Sequence, residues 1–185
     1  MSLKHAVLGF LELQPMSGYD LNKAFKESAG HFWSADQSHI YRTLADLESQ
    51  ELVNSTLVPQ DGKPDRREYS ITGQGKKELD AWLASPMPMD TMRESFLVRL
   101  FFAARLGAEG VLSLIAERID ATQHAIDILE EVQCGTTEFS KENKDDLGIQ
   151  MRLQTLTYGL VHYNAEMQWL QDLKVQATRI GKVGK

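Results

Sequence analysis

A chain of 185 residues holds one domain or two small ones, and 42% hydrophobic with 25% charged residues implies a packed globular core. The net charge of −6 excludes a whole-surface nucleic-acid binder: residues 1–85 hold 9 Lys and Arg against 12 Asp and Glu, and residues 86–185 hold 11 against 14, so any such site is a local patch. No apolar run approaches the roughly 18 residues of a membrane span, the N-terminus lacks a signal-peptide pattern, and the single Cys134 forms no intrachain disulfide. Those features point to a protein of the reducing cytoplasm.

Residues 2–13 read as a helix with Leu3, Val7, Phe10 and Leu11 on one face, ended by Pro15. Ser17, with Asp20 three residues on, caps a second helix. Its apolar face is Tyr19, Leu21, Ala24 and Phe25, and Gly30 ends it. After a short link, Ser34 and Gln37 have capping-box spacing and open a third helix over about 35–50. Ile40, Leu44 and Leu47 form its apolar stripe, while Ser38, His39, Arg42, Asp46 and Ser49 project on the other side. Beyond Leu52-Val53 the helical period stops. Thr56-Leu57-Val58 and Tyr69-Ser70-Ile71-Thr72 read as strands, joined by PQDGKPDRR with its Asp61-Gly62 turn signal and three cations. Thr72 caps a fourth helix through Leu83, carrying Leu79, Trp82 and Leu83. Gly73-Gln74-Gly75 is not a phosphate loop, because Glu78 stands where a third glycine is needed and no Gly-Lys-Ser/Thr follows.

Three helices with short turns and then a hairpin is the plan of a winged helix-turn-helix. A helix with a hydrogen-bonding outer face fits a major groove, and a basic hairpin tip reaches neighbouring phosphates. The same elements also build small α+β domains that bind no nucleic acid. Lys63, Arg66 and Arg67 are matched by Asp61, Asp65 and Glu68, so charge alone does not choose between the two.

Ser85-Pro86-Met87-Pro88-Met89 breaks the pattern and divides the chain into domains at 1–85 and 90–185. The second half reads as all helical. A segment over about 91–105 carries Phe96, Leu97, Leu100 and Phe101 and is closed by Gly107. The next, about 108–133, places Leu112, Ile115, Ile119, Thr122, Ile126 and Leu129 at alternating spacings of three and four. The last, about 146–180, does the same with Ile149, Leu153, Leu156, Leu160, Tyr163, Met167 and Leu170. Each is a seam that pairs helices, and CGTTEFSKENKDD between them reads as a loop. The last helix would run about 50 Å and has further apolar residues off the seam: Met151, Tyr158, Trp169, Leu173 and Ile180. A helix apolar on more than one face needs more than one partner. Homodimerisation through Ile119, Ile126, Leu153, Leu156, Leu160, Tyr163, Met167 and Leu170 answers that need; an intramolecular helix pair is the alternative.

Catalytic chemistry finds little support. His5, His31, His39, His124 and His162 never take the i, i+4 spacing of a helical metal pair, and there is no CxxC and no Gly-x-Ser-x-Gly elbow. No enzyme, metal or cofactor is expected. His162, with Tyr158 and Trp169 on the same helix, fits either an aromatic-ligand pocket or plain packing.

HAVLGFLELQPMSGYDL, SHIYRTLADLESQELV and REYSITGQGKKELDAWL together resemble the PadR family of bacterial transcriptional regulators. The helical second half is similar in layout to its AphA-like subfamily, which has a long dimerisation arm. The resemblance implies a fold that is mainly α with a small β-hairpin, an N-terminal winged helix-turn-helix plus an all-helical dimerisation arm. It implies a homodimeric repressor or activator on a palindromic double-stranded operator. By position, the recognition helix would hold Gln37, Ser38, His39, Tyr41 and Arg42. The wing, about 59–67, would contribute Lys63, Arg66 and Arg67, and Tyr19 and Lys23 would face the phosphate backbone. An aromatic or phenolic effector is known for some members. The family usually has a glycine where this chain has Glu51, before the pair that opens the wing strand. A winged-helix interaction module that no longer binds DNA is the competing reading, supported by the acidic total and the neutral wing.

Overall fold

The computed structural model describes residues 3–30, 32–33, 36–59, 65–87, 89 and 93–183. His31, Ser34, Lys63 and the predicted Asp61-Gly62 turn lie outside these residues. Apolar residues at helical spacing make α1 (Leu3–Leu13), which buries Val7, Leu8 and Leu11. Ser17 caps α2 (Gly18–Ser28): its Oγ accepts from the Asp20 N–H at 3.1 Å and donates to the Asp20 carboxylate at 2.7 Å. Tyr19 is not on the apolar face. Gly18, Leu21, Asn22 and Phe25 form the buried stripe at i, i+3, i+4 and i+7, which leaves Tyr19 65% exposed. The helix ends on a C-cap at Ala29 rather than at Gly30.

Helix α3 (Gln37–Ser49) starts later than the capping-box reading places it, because its N-cap is Asp36 and not Ser34. Asp36 Oδ1 accepts from the His39 N–H at 2.8 Å. A carboxylate there also complements the positive end of the helix dipole, which a serine cannot do. Ile40, Leu44 and Leu47 are buried.

Two strands are predicted and three form. β1 (Met16–Ser17) pairs with β3 (Arg66–Ile71), and β3 pairs with β2 (Val53–Val58), all antiparallel in the order β1-β3-β2. α3 passes to β2 through Gln50–Leu52. The Leu52 N–H bonds to the Leu47 carbonyl at 2.9 Å and the Glu51 N–H to the Glu48 carbonyl at 3.0 Å. Leu47 and Leu52 are both buried. This is a Schellman closure, and its left-handed position is filled by Glu51 at φ 58°. A glutamate there costs about 1 kcal/mol relative to glycine. Thr72 Oγ1 donates to the Glu51 carbonyl at 2.8 Å and caps α4 (Gly73–Leu83) by accepting from the Gly75 N–H at 3.0 Å. Gly75 has no room for a Cβ, which would collide with the Leu52 carbonyl. All four helices and the sheet share one core that includes Leu8, Leu21, Phe25, Leu44, Val53 and Leu79. α4 is tied to α1 by a His5–Trp82 stack with centroids 4.7 Å apart and by Lys4–Glu78 at 2.8 Å. Hydrogen bonds from Lys4 and then His5 hold the Glu78 carboxyl below its usual range.

This first unit spans 1–89, and a second spans 90–185. In the second, α5 (Ser95–Phe101) is shorter than the predicted segment over 91–105, and a 3₁₀ turn (Ala103–Leu106) follows it. Phe96 is buried, but Phe101 is exposed. Gly107 at φ 70° ends the turn and opens α6 (Gly107–Glu142). The predicted loop 134–146 is mostly helix. No proline interrupts it, Thr136 and Thr137 hydroxyls bond back to carbonyls of the preceding turn, and Lys141 pairs with Glu138 at 2.8 Å. Only residues 143–146 connect α6 to α7 (Leu147–Val183). The two run as a helical hairpin. Arg118 on α6 reaches Glu166 on α7 at 2.6 Å and Glu94 at the start of α5 at 3.6 Å, with its guanidinium over the Phe96 ring. Trp169 meets Phe96 edge-on at 6.2 Å.

Candidate nucleic-acid interface

With its stripe of Ile40, Leu44 and Leu47 fully packed, α3 presents Gln37, Ser38, His39, Tyr41 and Arg42 to solvent. Two of these are held at the helix start. The Ser38 hydroxyl donates to Asp36 Oδ1 at 2.7 Å, and His39 Nδ1 lies 3.2 Å from Asp36 Oδ2. Those bonds, Ser38 first and then the His39 N–H, lower the Asp36 carboxyl from its ordinary value. Arg42 donates from Nε to the Ser38 carbonyl at 3.3 Å. Among the described residues no carboxylate lies within ion-pair distance of it, and the i+4 pair with Asp46 does not form. Tyr41 packs on α2: a Cβ on Gly18 would stand 2.5 Å from Tyr41 Cε1, so the glycine is the seat of the ring. Tyr19 and Lys23 lie one turn apart on α2, both exposed, with Lys23 loosely paired to Glu27 at 3.8 Å.

The wing arginines depart from expectation, because both turn back onto the protein. Arg66 bonds to Asp20 at 3.2 Å and to Glu68 at 2.8 Å. Arg67 donates from Nη2 to both oxygens of Glu48, at 2.9 and 3.0 Å, and from Nε to Ser55 Oγ at 2.9 Å. Tyr69 lies under its guanidinium at 5.6 Å, and burial pushes the Tyr69 phenol up. Sequence reading missed Asp20, Glu48, Ser55 and Tyr69 as partners. One signal was there: period 2 puts Arg67 on the same strand face as Tyr69 and Ile71, toward the core.

The residues assigned to dimerisation lie mostly inside one chain. Ile126, Leu156, Leu160, Met167 and Leu170 are buried, and Ile119, Leu153 and Tyr163 are half-buried. The buried members pack within the hairpin, while Ile119, Leu153 and Tyr163 keep part of their surface outward. The off-seam Met151, Tyr158, Trp169 and Ile180 are exposed, whereas Leu173 joins the core around Ile115 and Leu170. Tyr158 stacks on His162 along the outside of α7.

Three helices, a small antiparallel sheet and an exposed polar helix define a winged helix-turn-helix protein. The profile of the Transcriptional regulator PadR-like family matches residues 7–81, and that of Virulence activator alpha C-term matches residues 92–175. The chain belongs to the PadR-like family of transcriptional regulators. It is 29% identical over 175 residues to the negative transcriptional regulator PadR of Bacillus subtilis, covering 92% of this chain and 94% of that one. The structure of Bacillus subtilis PadR in complex with operator DNA is similar at TM-score 0.84 and 27% identity, over 95% and 97% of the chains. The same protein in complex with p-coumaric acid is similar at TM-score 0.76 and 25% identity, over 95% and 98%. The Vibrio cholerae virulence activator AphA is similar at TM-score 0.78 and 26% identity, over 97% and 99%. Among the described residues no helix is long and apolar enough to cross a membrane, and no cluster of metal-binding side chains occurs.

Proposed function

We propose that this PadR-type regulator reads a duplex operator with α3, as a homodimer, and acts by DNA binding and not catalysis. Residues 1–85 form the DNA-binding domain and 90–185 the dimerisation domain. One observation carries the reading: Arg42 stands in the second turn of α3, on the solvent face of a helix that is wholly packed behind, with no carboxylate partner among the described residues. A guanidinium so placed can pair with O6 and N7 of guanine. Gln37 reaches bases or phosphates from the preceding turn, and Tyr19 and Lys23 face the backbone. Lys63 remains a wing contact in this reading, while Arg66 and Arg67 do not. Dimer contacts fall to the exposed face of α7 around Met151, Tyr158 and Trp169.

The test is binding of a duplex from the protein's own upstream DNA and of a random duplex. Arg42→Ala should weaken operator binding by roughly 1–3 kcal/mol and random binding far less. Equal losses on both would make Arg42 a phosphate contact. The carboxylate pairing of both described wing arginines favours a second reading, a winged-helix interaction module without DNA. Failure of the wild-type protein to be retained on heparin or to shift either duplex would select it. The p-coumaric acid complex of the Bacillus subtilis relative supports an aromatic-acid effector here as well. Release of operator DNA by millimolar p-coumaric acid checks that; no release at saturation would exclude this acid.

A further inference from the structure

We infer that Glu48, Ser55 and Arg67 form a brace that sets the wing against the end of α3, and that Arg67 serves operator binding as a positioning residue and not as a phosphate contact. This rests on the DNA-binding reading above.

The three groups close a ring. Ser55 Oγ donates to Glu48 Oε1 at 2.5 Å and accepts from Arg67 Nε at 2.9 Å, while Arg67 Nη2 spans both Glu48 oxygens. They come from three elements, the last turn of α3, β2 and β3. The sheet register places Ser55 opposite Tyr69 and Leu57 opposite Arg67, so the guanidinium lies diagonally across from the serine and beside the tyrosine ring. With Nε and Nη2 engaged and the charge matched by Glu48, a phosphate approaching Arg67 would meet the carboxylate as well.

The ring also spans the corner where an angle has to be fixed. Only Gln50–Leu52 join α3 to β2, and their turn carries a glutamate at φ 58°. A residue in that conformation persists only where its surroundings over-determine it. Thr72 holds the corner on one side through the Glu51 and Leu52 carbonyls, and the brace bridges it from Glu48 to Ser55 on the other. A lost brace frees the hairpin to swing about the turn, and the wing's remaining contacts lose register with the helix.

The experiment uses full-length protein, a duplex from its own upstream DNA, a random duplex of equal length, and titrations against salt. Arg67→Ala, Arg67→Lys and Glu48→Gln should each weaken operator binding by about fivefold, with the Arg67→Ala/Glu48→Gln double variant no worse than either. Salt slopes should stay at the wild-type value, and Glu48→Arg/Arg67→Glu should recover most of the affinity. Arg67→Lys separates the cases, since it keeps the charge and loses the bidentate geometry. A phosphate contact predicts the reverse: a slope flattened by about 0.9 per contact in Arg67→Ala, near-normal Arg67→Lys, and tighter binding by Glu48→Gln. That pattern overturns the brace alone, as would a lowered melting temperature with unchanged affinity. Wild-type protein that binds neither duplex removes the DNA-binding reading and the brace with it.

Discussion

The two units solve the burial problem differently. In residues 1–89 every helix and the sheet contribute to one continuous core, and its charged side chains cross-link elements at the rim, as Arg66–Asp20 and Lys4–Glu78 do. Residues 90–185 have a line instead. Along α6 and α7 the buried contacts fall into one patch around Ile115 and Leu170 and another around Leu129, Leu156 and Leu160. Between them lie buried Thr122 and the Arg118–Glu166 pair. Two long helices can cover only one face of each other, and large apolar side chains remain outside. A closed core makes a unit self-sufficient; a linear one makes it depend on what else it packs against.

The sharpest way to break the comparison is to cut each core. Leu44→Ala and Leu170→Ala both remove a fully buried leucine and should each cost about 2–5 kcal/mol. Calorimetry should show Leu44→Ala lowering a transition that is independent of protein concentration. Leu170→Ala should lower one that rises with concentration, as self-association requires. Concentration dependence in neither would end the contrast. Next comes the outer face of α7. Met151→Glu with Tyr158→Glu should leave helicity intact and turn a species of twice 20.9 kDa into a monomer by light scattering. A surviving dimer would move the contact elsewhere.

A smaller effect sharpens the picture of the first unit. Glu51→Gly relieves the left-handed glutamate and should stabilise by up to about 1 kcal/mol in urea melts, part of the gain being offset by the freer unfolded chain. The smallest concerns acid. The Asp36 carboxyl lies below its ordinary 3.8, so its contribution is present above that value and fades as pH falls through the lower folded value. Between pH 4 and 2 the melting temperature of wild-type protein should therefore fall more steeply than that of Asp36→Asn. Parallel curves would remove Asp36 from the account.

Periodicity made the helices legible, because Ile40, Leu44 and Leu47 or Leu156, Leu160 and Met167 repeat whatever else surrounds them. Thr72 as a cap was readable for the same local reason, and so was the awkward glutamate at position 51. Tertiary choices were not. β1 has two residues and no period of its own; it exists because β3 offers an edge. The start of α3 was read at Ser34 from its spacing to Gln37, a local pattern that holds no account of the Asp36 carboxylate two residues on, which is the cap. The seam of α7 was identified as apolar, but whether it meets α6 or another chain depends on the hairpin closing through 143–146, and the polar run 134–142 hid that closure. Of the interface, the outer face of α3 was visible from spacing, whereas the inward turn of Arg66 and Arg67 depends on carboxylates 46 and 19 residues away in the chain.

Gly107 gives the helical hairpin a mechanical character. α6 leaves that glycine as an unbroken rod of 36 residues, which at 1.5 Å per residue is about 54 Å long, stiffened along its length by α7. A rotation of about 5° at the glycine sweeps the far tip through about 5 Å, more than the 3.4 Å step from one base to the next along a DNA strand. At this lever ratio the contacts beside the glycine, Arg118 with Glu94 and Trp169 with Phe96, set the position of a tip about 54 Å away.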